Sequence, residues 1–492
     1  MNTPKNYSRS IALALFLLTM GVYLCLSPAH FLTTPDEEIN LRTTLSLVEG
    51  KWGAIPPLEG FASKKGADGK EYAQYGLGLP LAAAPWGLIG KAFDPGAADR
   101  NRLDAVREGE KAGTIFLRWW MTVFTMLISS STVVLFNSIL RHLGLNLSRS
   151  IFFTLLLAFG TMVWPHGRTF FTEPLTAFCL MAAMACFLKS RNAIRTTGWI
   201  FLAGLFWAYA LFTRLDALVT LPAAFWLLCI TVEDGRIRFR FSLMRIAFFS
   251  IPFLVAAAAI AGYNVSRFGA ILSTGYEDQP EKVRFITPLL VGLHGFLLSP
   301  GRSLFVYSPP LIFSVIGFGK LWKRDAWLFG GIALLCAGYL GAMSKWQNWA
   351  GGYDWGPRHI YQITPFLMIA ASMAFLDKPL FNTSGKRIAW MLFLFFSVFV
   401  QILGLAADPM IVIKSVIYPW PAALHPYIMQ FTIYLPHFSA PVLHWFWLVK
   451  HGPDLLIFTL SPSLKAGLLI PAVAAGWGIW TLVSKNADDS RG

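Results

Sequence analysis

Long apolar runs separated by short polar segments dominate the chain and predict its architecture. Runs of about 16 to 20 apolar residues are long enough to cross a bilayer as helices. Twelve such runs predict an all-α polytopic membrane protein. They cover residues 10–28, 114–140, 150–165, 170–188, 198–213, 217–231, 246–263, 304–319, 326–343, 359–376, 388–406 and 466–484.

One further apolar segment, "YGLGLPLAAAPWGLIGKAF" at 75–93, is not predicted to span the membrane. Counting it as a span would invert the side of every later polar segment and would place the basic clusters outside. Its glycines and prolines also suit a straight spanning helix poorly. We therefore expect it to lie on the outer membrane surface or to re-enter the membrane.

The basic residues predict the orientation of the spans. Nineteen of the 41 Lys and Arg residues lie in segments that face the cytoplasm if the N-terminus does. The short outer turns hold four, namely Arg168, Arg214, Lys345 and Arg358. This asymmetry is the positive-inside pattern. We expect both termini to be cytoplasmic in a bacterial inner membrane.

Three outer segments are long, namely 29–113, 264–303 and 407–465, so the outer face has the material to form a site. We expect residues 1–406 to form a catalytic module, with juxtamembrane helices in its first outer loop. Residues 407–492 would supply a further outer loop and the last span.

Composition agrees with a membrane protein, since 55% of residues are hydrophobic and only 14% are charged. Soluble domains average about 25% charged residues. A net charge of +15 would suit nucleic acid, but the charge is explained by the cytoplasmic membrane face. The bilayer is therefore the expected partner, and no nucleic acid is expected.

Three consecutive acids follow the first span, in "FLTTPDEEIN". Asp36, Glu37 and Glu38 could simply open a short amphipathic helix on the membrane surface, because acids are favoured at a helix N-terminus. Alternatively, Asp36 or Glu37 is a base that takes a proton from an acceptor hydroxyl.

Charged residues recur at the outer ends of other spans. Ionisable groups at membrane depth are costly and usually pair or serve a function. Local pairing, as between Arg214 and Asp216, explains some of them. Arginines converging on one face would also suit phosphate oxygens, which a guanidinium can bind in a bidentate fashion. These residues are Arg168, Glu173, Arg214, Asp216, Arg302, Asp354 and Arg358.

The stretch "WQNWAGGYDWGPRH" places aromatic rings around Gly351 and Gly352. An interfacial aromatic belt explains some of them. Trp349, Tyr353 and Trp355 are also candidates for a sugar or acceptor pocket, together with Tyr75, Glu173 and Asp354. The sequence has no G-x-x-x-x-G-K-[ST], H-E-x-x-H or G-x-S-x-G motif, which disfavours ATP-driven transport, zinc proteolysis and serine hydrolysis.

The order of these motifs resembles the GT-C superfamily of integral-membrane glycosyltransferases. Relatives include protein O-mannosyltransferases (glycosyltransferase family 39), aminoarabinose transferases and oligosaccharyltransferases. Four segments spanning residues 33–368 carry the resemblance. They are the acids Asp36-Glu37, "EYAQYGLGLPLAAAPWGLIG", "FFTEPL", and "LLSPGRSLFVYSPPL" followed by "WAGGYDWGPRHIYQITPFL".

The resemblance implies a GT-C-like fold and a polyprenyl-phosphate sugar donor used on the periplasmic face. It implies that Asp36, with Glu37 second, is the catalytic carboxylate. It implies that basic residues bind the donor phosphate, with Arg168, Arg214, Arg302 and Arg358 as candidates. The acceptor would be a glycan, lipid or protein hydroxyl, attacked with inversion. No metal or other cofactor is indicated, and a divalent metal stays open.

Two other functions compete. A twelve-span transporter or flippase of lipid-linked sugars would show repeated halves and charge at mid-membrane. An O-antigen ligase or polymerase would use outer arginines and histidines, for which His425, His437 and His444 are available. The early acids and the unequal outer loops favour the glycosyltransferase.

Overall fold

The computed structural model describes residues 5–27, 34–56, 63–93, 116–191, 196–233, 235–276, 284–352, 354–376, 383–416, 419–458 and 462–488. Within these ranges the chain is mainly helical. The helices are α1 Lys5–Cys25, α2 Pro35–Val48, α3 Gly78–Phe93, α4 Phe116–His142, α5 Leu147–Gly160, α6 Val163–Gly167, α7 Thr172–Ser190, α8 Thr196–Thr213, α9 Leu221–Cys229, α10 Leu243–Phe268, α11 Leu289–Leu298, α12 Leu304–Tyr307, α13 Ser314–Arg324, α14 Ala326–Lys345, α15 Thr364–Met373, α16 Ser384–Ala406, α17 Pro409–Val416, α18 Ile428–Tyr434, α19 Ala440–His451 and α20 Pro462–Asp488. Short 3₁₀ turns occupy Leu215–Thr220, Pro309–Phe313, Arg358–Ile363, Ala422–Tyr427, Pro436–Phe438 and Leu456–Phe458.

Each predicted span overlaps a described helix, and the helical membrane-protein class is confirmed. Among the described residues, six helices are long and apolar enough to cross a membrane, namely α4, α7, α8, α10, α14 and α16. Other predicted spans are broken. The span at 304–319 becomes α12, a 3₁₀ turn and α13, because consecutive prolines at 309 and 310 interrupt the backbone ladder. The count of twelve stays a prediction.

The segment predicted as the first outer loop carries two helices, α2 and α3, with a small antiparallel sheet between them. Its strands are β1 Ala54–Ile55, β2 Ser63–Lys65 and β3 Glu71–Ala73, and β3 lies in the centre. The sheet was not expected from the sequence. Residues 78–93 of the segment 75–93 form α3, which packs against α2 and α4. Whether this helix lies on the membrane surface or re-enters the membrane stays a prediction.

Helix α2 differs from the amphipathic surface helix that its pattern suggests. Nine of its 14 residues are buried, including Glu37, Glu38 and Asn40. Thr43 and Thr44 are buried as well, and their hydroxyls donate to backbone carbonyls one turn earlier. Polar residues on α2 therefore face protein, where buried polar groups usually form hydrogen bonds.

Helix packing depends on close backbone approach. Gly204 lies against the backbone of Phe249, and Gly317 lies against the backbone of Ala370. Small residues allow such contacts, and van der Waals packing then stabilises helix pairs within a bilayer. The main core at these contacts includes the fully buried side chains of Phe187, Trp207 and Phe366.

The first and last helices run antiparallel, because Gly21 lies against Ala472 and Leu18 lies near Gly476. The described chain therefore begins and ends on the same side of the bundle. A second hairpin, β4 Ile230–Glu233 with β5 Arg236–Phe239, connects α9 to α10.

Candidate active site

The three acids after the first span diverge because they begin a helix. Thr34 is the N-cap of α2, Pro35 is its first residue, and Thr34 and Glu37 form a capping box. Successive helical residues point about 100° apart. The sequence neighbours Asp36, Glu37 and Glu38 therefore reach three different environments.

Asp36 faces residues from two distant parts of the chain. The Tyr75 hydroxyl donates to its Oδ1 at 2.6 Å. The Arg358 Nη1 lies 2.7 Å from its Oδ2. The Asp36 carboxylate is partly exposed, with 17% of its side-chain surface accessible. It is thus held in place and still reachable.

Glu37 ties the start of α2 to the segment before α7. Its Oε1 accepts from the Phe170 backbone N–H at 2.9 Å, and its Oε2 accepts from the Thr34 N–H at 3.2 Å. Burial raises the pKa of Glu37 to about 7, although these hydrogen bonds lower it. Its geometry is that of a helix cap and a tertiary link.

Glu38 pairs with two arginines on the opposite side of α2. Arg118 at the start of α4 donates to it through both terminal nitrogens, and Arg42 Nε lies 2.9 Å away. Burial raises the pKa of Glu38, but Arg118 and Arg42 lower it further, so that it lies below its usual range. This buried pair joins α2 to α4.

Arg358 connects three carboxylates. Besides Asp36, its Nη1 lies 3.0 Å from Asp354 Oδ2, and its Nε lies 3.7 Å from Glu173 Oε1. Its guanidinium stacks on the Phe171 ring, 4.6 Å from the centroid. The Arg358 Nε is buried and has no hydrogen-bond partner among the described residues.

Glu173 extends the network to a second arginine. Its Oε1 lies 2.7 Å from Arg214 Nη1, and Arg214 also donates to Asp216 Oδ2 at 2.5 Å. The Thr172 hydroxyl accepts from Arg214 at 3.1 Å. We call this set the Asp36 cluster. It comprises Asp36, Glu173, Arg214, Asp216, Asp354 and Arg358.

The Asp36 cluster holds four carboxyl groups and two guanidiniums in a largely buried place. Burial raises the pKa of Asp354 to about 6, although Arg358 lowers it. The pKa of Tyr75 is also raised by burial and then by the neighbouring Asp36. The cluster therefore has more acidic than basic groups, and an anionic ligand would compete with these carboxylates for the two arginines.

Comparison with known proteins bears on the fold. No protein-family model and no curated protein matches the sequence. The oligosaccharyltransferase of Archaeoglobus fulgidus, solved in the apo form, matches over 96% of this chain and 64% of its own, with 11% identity and a TM-score of 0.53. ArnT from Cupriavidus metallidurans, solved with undecaprenyl phosphate, matches over 96% of this chain and 75% of its own, with 13% identity and a TM-score of 0.49.

The chain has the GT-C fold. It spans just under two thirds of the length of the oligosaccharyltransferase.

Two predicted arginines of this GT-C chain lie outside the ion pairs of the Asp36 cluster. Arg302 donates from Nη1 to the carbonyls of Asp354 at 2.6 Å and Gly356 at 3.2 Å, and from Nη2 to the carbonyl of Gly352. It therefore holds the loop that carries Asp354 and leads to Arg358. Its contribution to the site is indirect.

Arg168 lies at the junction of α6 and α7, where its Nη2 donates to the Gly404 carbonyl at 2.7 Å. Its Nη1 is buried and has no partner among the described residues. Burial lowers the pKa of Arg168 to about 10, against the influence of Asp408, Asp454 and Glu37. It therefore remains a cation that links α7 to the end of α16.

The tryptophans proposed for a sugar pocket pack in apolar surroundings. Trp349 is buried edge-on to Phe296, with centroids 5.3 Å apart, and lies against Gly295. Trp355 is buried edge-on to Tyr307 at 5.0 Å and near His444 at 4.9 Å. Tyr353 lies outside the described residues. A contact of these rings with sugar stays a prediction.

Two residues near the site were not anticipated. Tyr276 packs edge-on to Tyr75, 6.4 Å between centroids, which places it beside Asp36. His359 is buried next to Arg358, and neither of its ring nitrogens has a partner among the described residues. His359 stands in the aromatic stretch that the sequence singled out, but its burial could not be foreseen.

Within the described ranges, no group of three or more His, Cys, Asp or Glu has the geometry to hold a metal ion.

Proposed function

We propose that the protein is a membrane glycosyltransferase that moves a sugar from a polyprenyl-phosphate donor to an acceptor hydroxyl. The observation that carries the proposal is the contact between Asp36 and Arg358, which brings a partly exposed carboxylate beside a guanidinium whose Nε has no hydrogen-bond partner among the described residues. A sugar phosphate needs both groups, one for the acceptor and one for the leaving phosphate.

The position of the Asp36 cluster suits a lipid-linked donor. It lies where α2 and the starts of α7 and of the 3₁₀ turn at 358–363 meet, at the ends of the apolar segments. A polyprenyl chain could stay in the bilayer while its phosphate and sugar reach this level. The positive-inside pattern of the predicted inner segments supports a location of this end on the periplasmic face of a bacterial inner membrane.

Asp36 acts as the base in this mechanism. Each carboxylate oxygen has two lone pairs, so Asp36 can accept a further hydrogen bond beside those from Tyr75 and Arg358. The acceptor oxygen attacks the anomeric carbon as Asp36 takes its proton. The bond from that carbon to the phosphate oxygen breaks, and the polyprenyl phosphate leaves with the electron pair. A single in-line attack inverts the anomeric carbon.

Arg358 and Arg214 stabilise the leaving phosphate. The Arg358 Nε has no hydrogen-bond partner among the described residues, and Glu173 lies near both Arg358 and Arg214. Donors preset toward developing charge lower a barrier without reorganisation. Arg302 keeps Arg358 in place through the loop carbonyls, and Arg168 is a second candidate for the lipid phosphate.

The competing functions receive no comparable support. His444 packs against Trp355, and its Nδ1 contacts the Leu403 carbonyl at 2.9 Å, so these two contacts include no ion pair of the Asp36 cluster. His437 is exposed. The charged groups of the cluster lie at helix ends, whereas a transporter would hold charge in broken helices at mid-membrane.

The test uses the purified full chain with a panel of radiolabelled polyprenyl-phosphate sugars and measures the polyprenyl phosphate released. The wild type should consume one donor, and Asp36→Asn should reduce consumption at least about 100-fold, the lower range for loss of a general base. Asp68→Asn, an exposed acid in the same outer loop, is the matched control. Full activity of Asp36→Asn would remove the assignment of the base, and no consumption of any donor by the wild type would contradict the function.

A further inference from the structure

The end of the bundle opposite the Asp36 cluster contains a pocket of about 200 Å³. It is lined by the C-terminal ends of α4 and α7 and by the junction of α13 with α14. The lining residues are His142, Leu143, Arg191, Arg324 and Asp325.

The lengths of α4 and α7 give the distance between this pocket and the Asp36 cluster. Helix α7 runs from Glu173 in the cluster to Arg191 beside the pocket, about 27 Å at 1.5 Å per residue. Helix α4 runs from Arg118, which pairs with Glu38, to His142 in the pocket. Since a bilayer's hydrocarbon core is about 30 Å thick, the pocket lies at the head groups of the opposite leaflet.

The pocket presents two guanidiniums in fixed positions. Arg324 Nε donates to the Leu143 carbonyl at 2.8 Å, while its terminal nitrogens make no hydrogen bond or ion pair with any described residue. Arg191 stacks on Trp327, 4.9 Å from the ring centroid, and pairs with Asp325 at 2.5 Å. Anchoring by Nε and by stacking leaves the remaining N–H groups of both arginines for an acceptor.

The one carboxylate in the pocket is already engaged. Asp325 caps α14 by accepting from the Leu328 N–H at 3.0 Å and also pairs with Arg191. Two guanidiniums and one carboxylate leave a net positive charge. The pocket therefore favours an anion with several oxygens, and a planar guanidinium fork matches a phosphate.

We propose that this pocket binds the phosphate group of an anionic phospholipid in the cytoplasmic leaflet. A phospholipid is the source of phosphate at this depth, and its acyl chains would lie along the apolar outer surfaces of α13 and α14. Val315, Ile316 and Trp322 of α13 are exposed there. Such a lipid would clamp the ends of α4, α7 and α13 together, at a site separate from the Asp36 cluster.

The experiment is native mass spectrometry of the purified full chain titrated with phosphatidylglycerol, with zwitterionic phosphatidylcholine, which has no net charge, as the comparison. The wild type should retain phosphatidylglycerol more tightly than phosphatidylcholine. Arg324→Gln should weaken phosphatidylglycerol binding about fivefold, since a basic residue near an anionic surface contributes about 1 kcal/mol. Arg191→Gln is a second variant, and the melting temperature of each checks folding.

The matched control is Arg238→Gln. Arg238 lies on the β4–β5 hairpin at the same end of the bundle, is 57% exposed and pairs loosely with Glu233 at 3.5 Å. It should leave phosphatidylglycerol binding unchanged. An equal loss in Arg238→Gln, or equal affinity for the two lipids, would overturn the proposal. Full displacement of the lipid by 20-fold excess inorganic phosphate would show a phosphate site that does not require a lipid, and would overturn the choice of ligand. None of these measurements depends on sugar transfer.

Discussion

Asp36 and Arg358 form an ion pair, with 2.7 Å between Oδ2 and Nη1, although one follows the first membrane helix and the other precedes a late one. Tyr75 holds the other oxygen of the same carboxylate. The contact joins the first outer loop to the loop at 346–358, and the proposed chemistry depends on it.

Replacing Arg358 by lysine tests the phosphate role. Lysine keeps the positive charge but has no planar fork, and it cannot contact Asp36, Asp354 and Glu173 together. We expect kcat for donor consumption to fall roughly 100-fold or more, the loss typical of one preset donor. Arg238→Lys should have no effect. A kcat within threefold of wild type would exclude Arg358 as the phosphate ligand.

The Tyr75 hydroxyl can be removed while its ring is kept. Tyr75→Phe preserves the packing against Tyr276 but deletes the hydrogen bond to Asp36 Oδ1. A hydrogen bond to a charged group contributes about 1.5–3 kcal/mol. We expect kcat to fall by about tenfold to 100-fold because Asp36 loses a group that orients it, and the melting temperature to fall by no more than the loss of this one hydrogen bond explains. A change confined to KM would indicate instead that Tyr75 contacts substrate.

Glu38 should matter for stability, in contrast to Asp36 two residues earlier. Glu38→Gln leaves the buried Arg118 without its carboxylate, which typically costs about 3–5 kcal/mol. We expect a large fall in the melting temperature of Glu38→Gln in detergent, whereas Asp36→Asn stays near wild type. The double variant Glu38→Gln with Arg118→Met should recover part of the loss. Equal melting temperatures for the two single variants would contradict the division of roles.

Asp354 should make stability depend on pH. Burial raises its pKa from 3.8 to about 6, so the folded protein holds a proton that the unfolded chain has released between these values. The stability contributed by the protonated group is present below about pH 4 and is lost as pH rises to about 6. The asparagine of Asp354→Asn does not titrate, so the variant does not lose this stability as the pH rises. The melting temperature of the variant relative to wild type should therefore rise from pH 4.5 to pH 7, and a constant difference would argue against the shift.

Gly295 tests the packing of Trp349. A Cβ at Gly295 would lie 2.0 Å from the Trp349 ring, so Gly295→Ala must displace the indole. Overpacking of this kind typically costs about 1–3 kcal/mol. Gly341→Ala in α14 is the control, since a Cβ there meets open space and alanine favours the helix. Unfolding measurements should show a lower melting temperature for the first variant alone.

Several residues of the Asp36 cluster were singled out from the sequence because a charged side chain at membrane depth has a high free-energy cost. Arg214, Arg358, Glu173 and Asp354 are charged residues at the ends of apolar runs, where an ionisable group needs a partner. The structure brings all four together with Asp36. Arg168 and Arg302 had the same signature, yet they donate to backbone carbonyls and not to the carboxylates of the cluster. Spacing along the chain does not distinguish a carboxylate partner from a carbonyl partner.

The apolar periodicity by itself determined that this chain is a helical membrane protein and that its first outer loop contains helices. Apolar length and positive charge act locally, so they can be read along the chain. The tertiary structure alone decided which of three adjacent acids meets Arg358, which caps a helix and which pairs with Arg118. The 100° step of a helix separates these side chains, and their partners come from loops far along the chain. The assignment of residues 407–492 to a separate unit, and the roles of the individual site residues, stay predictions.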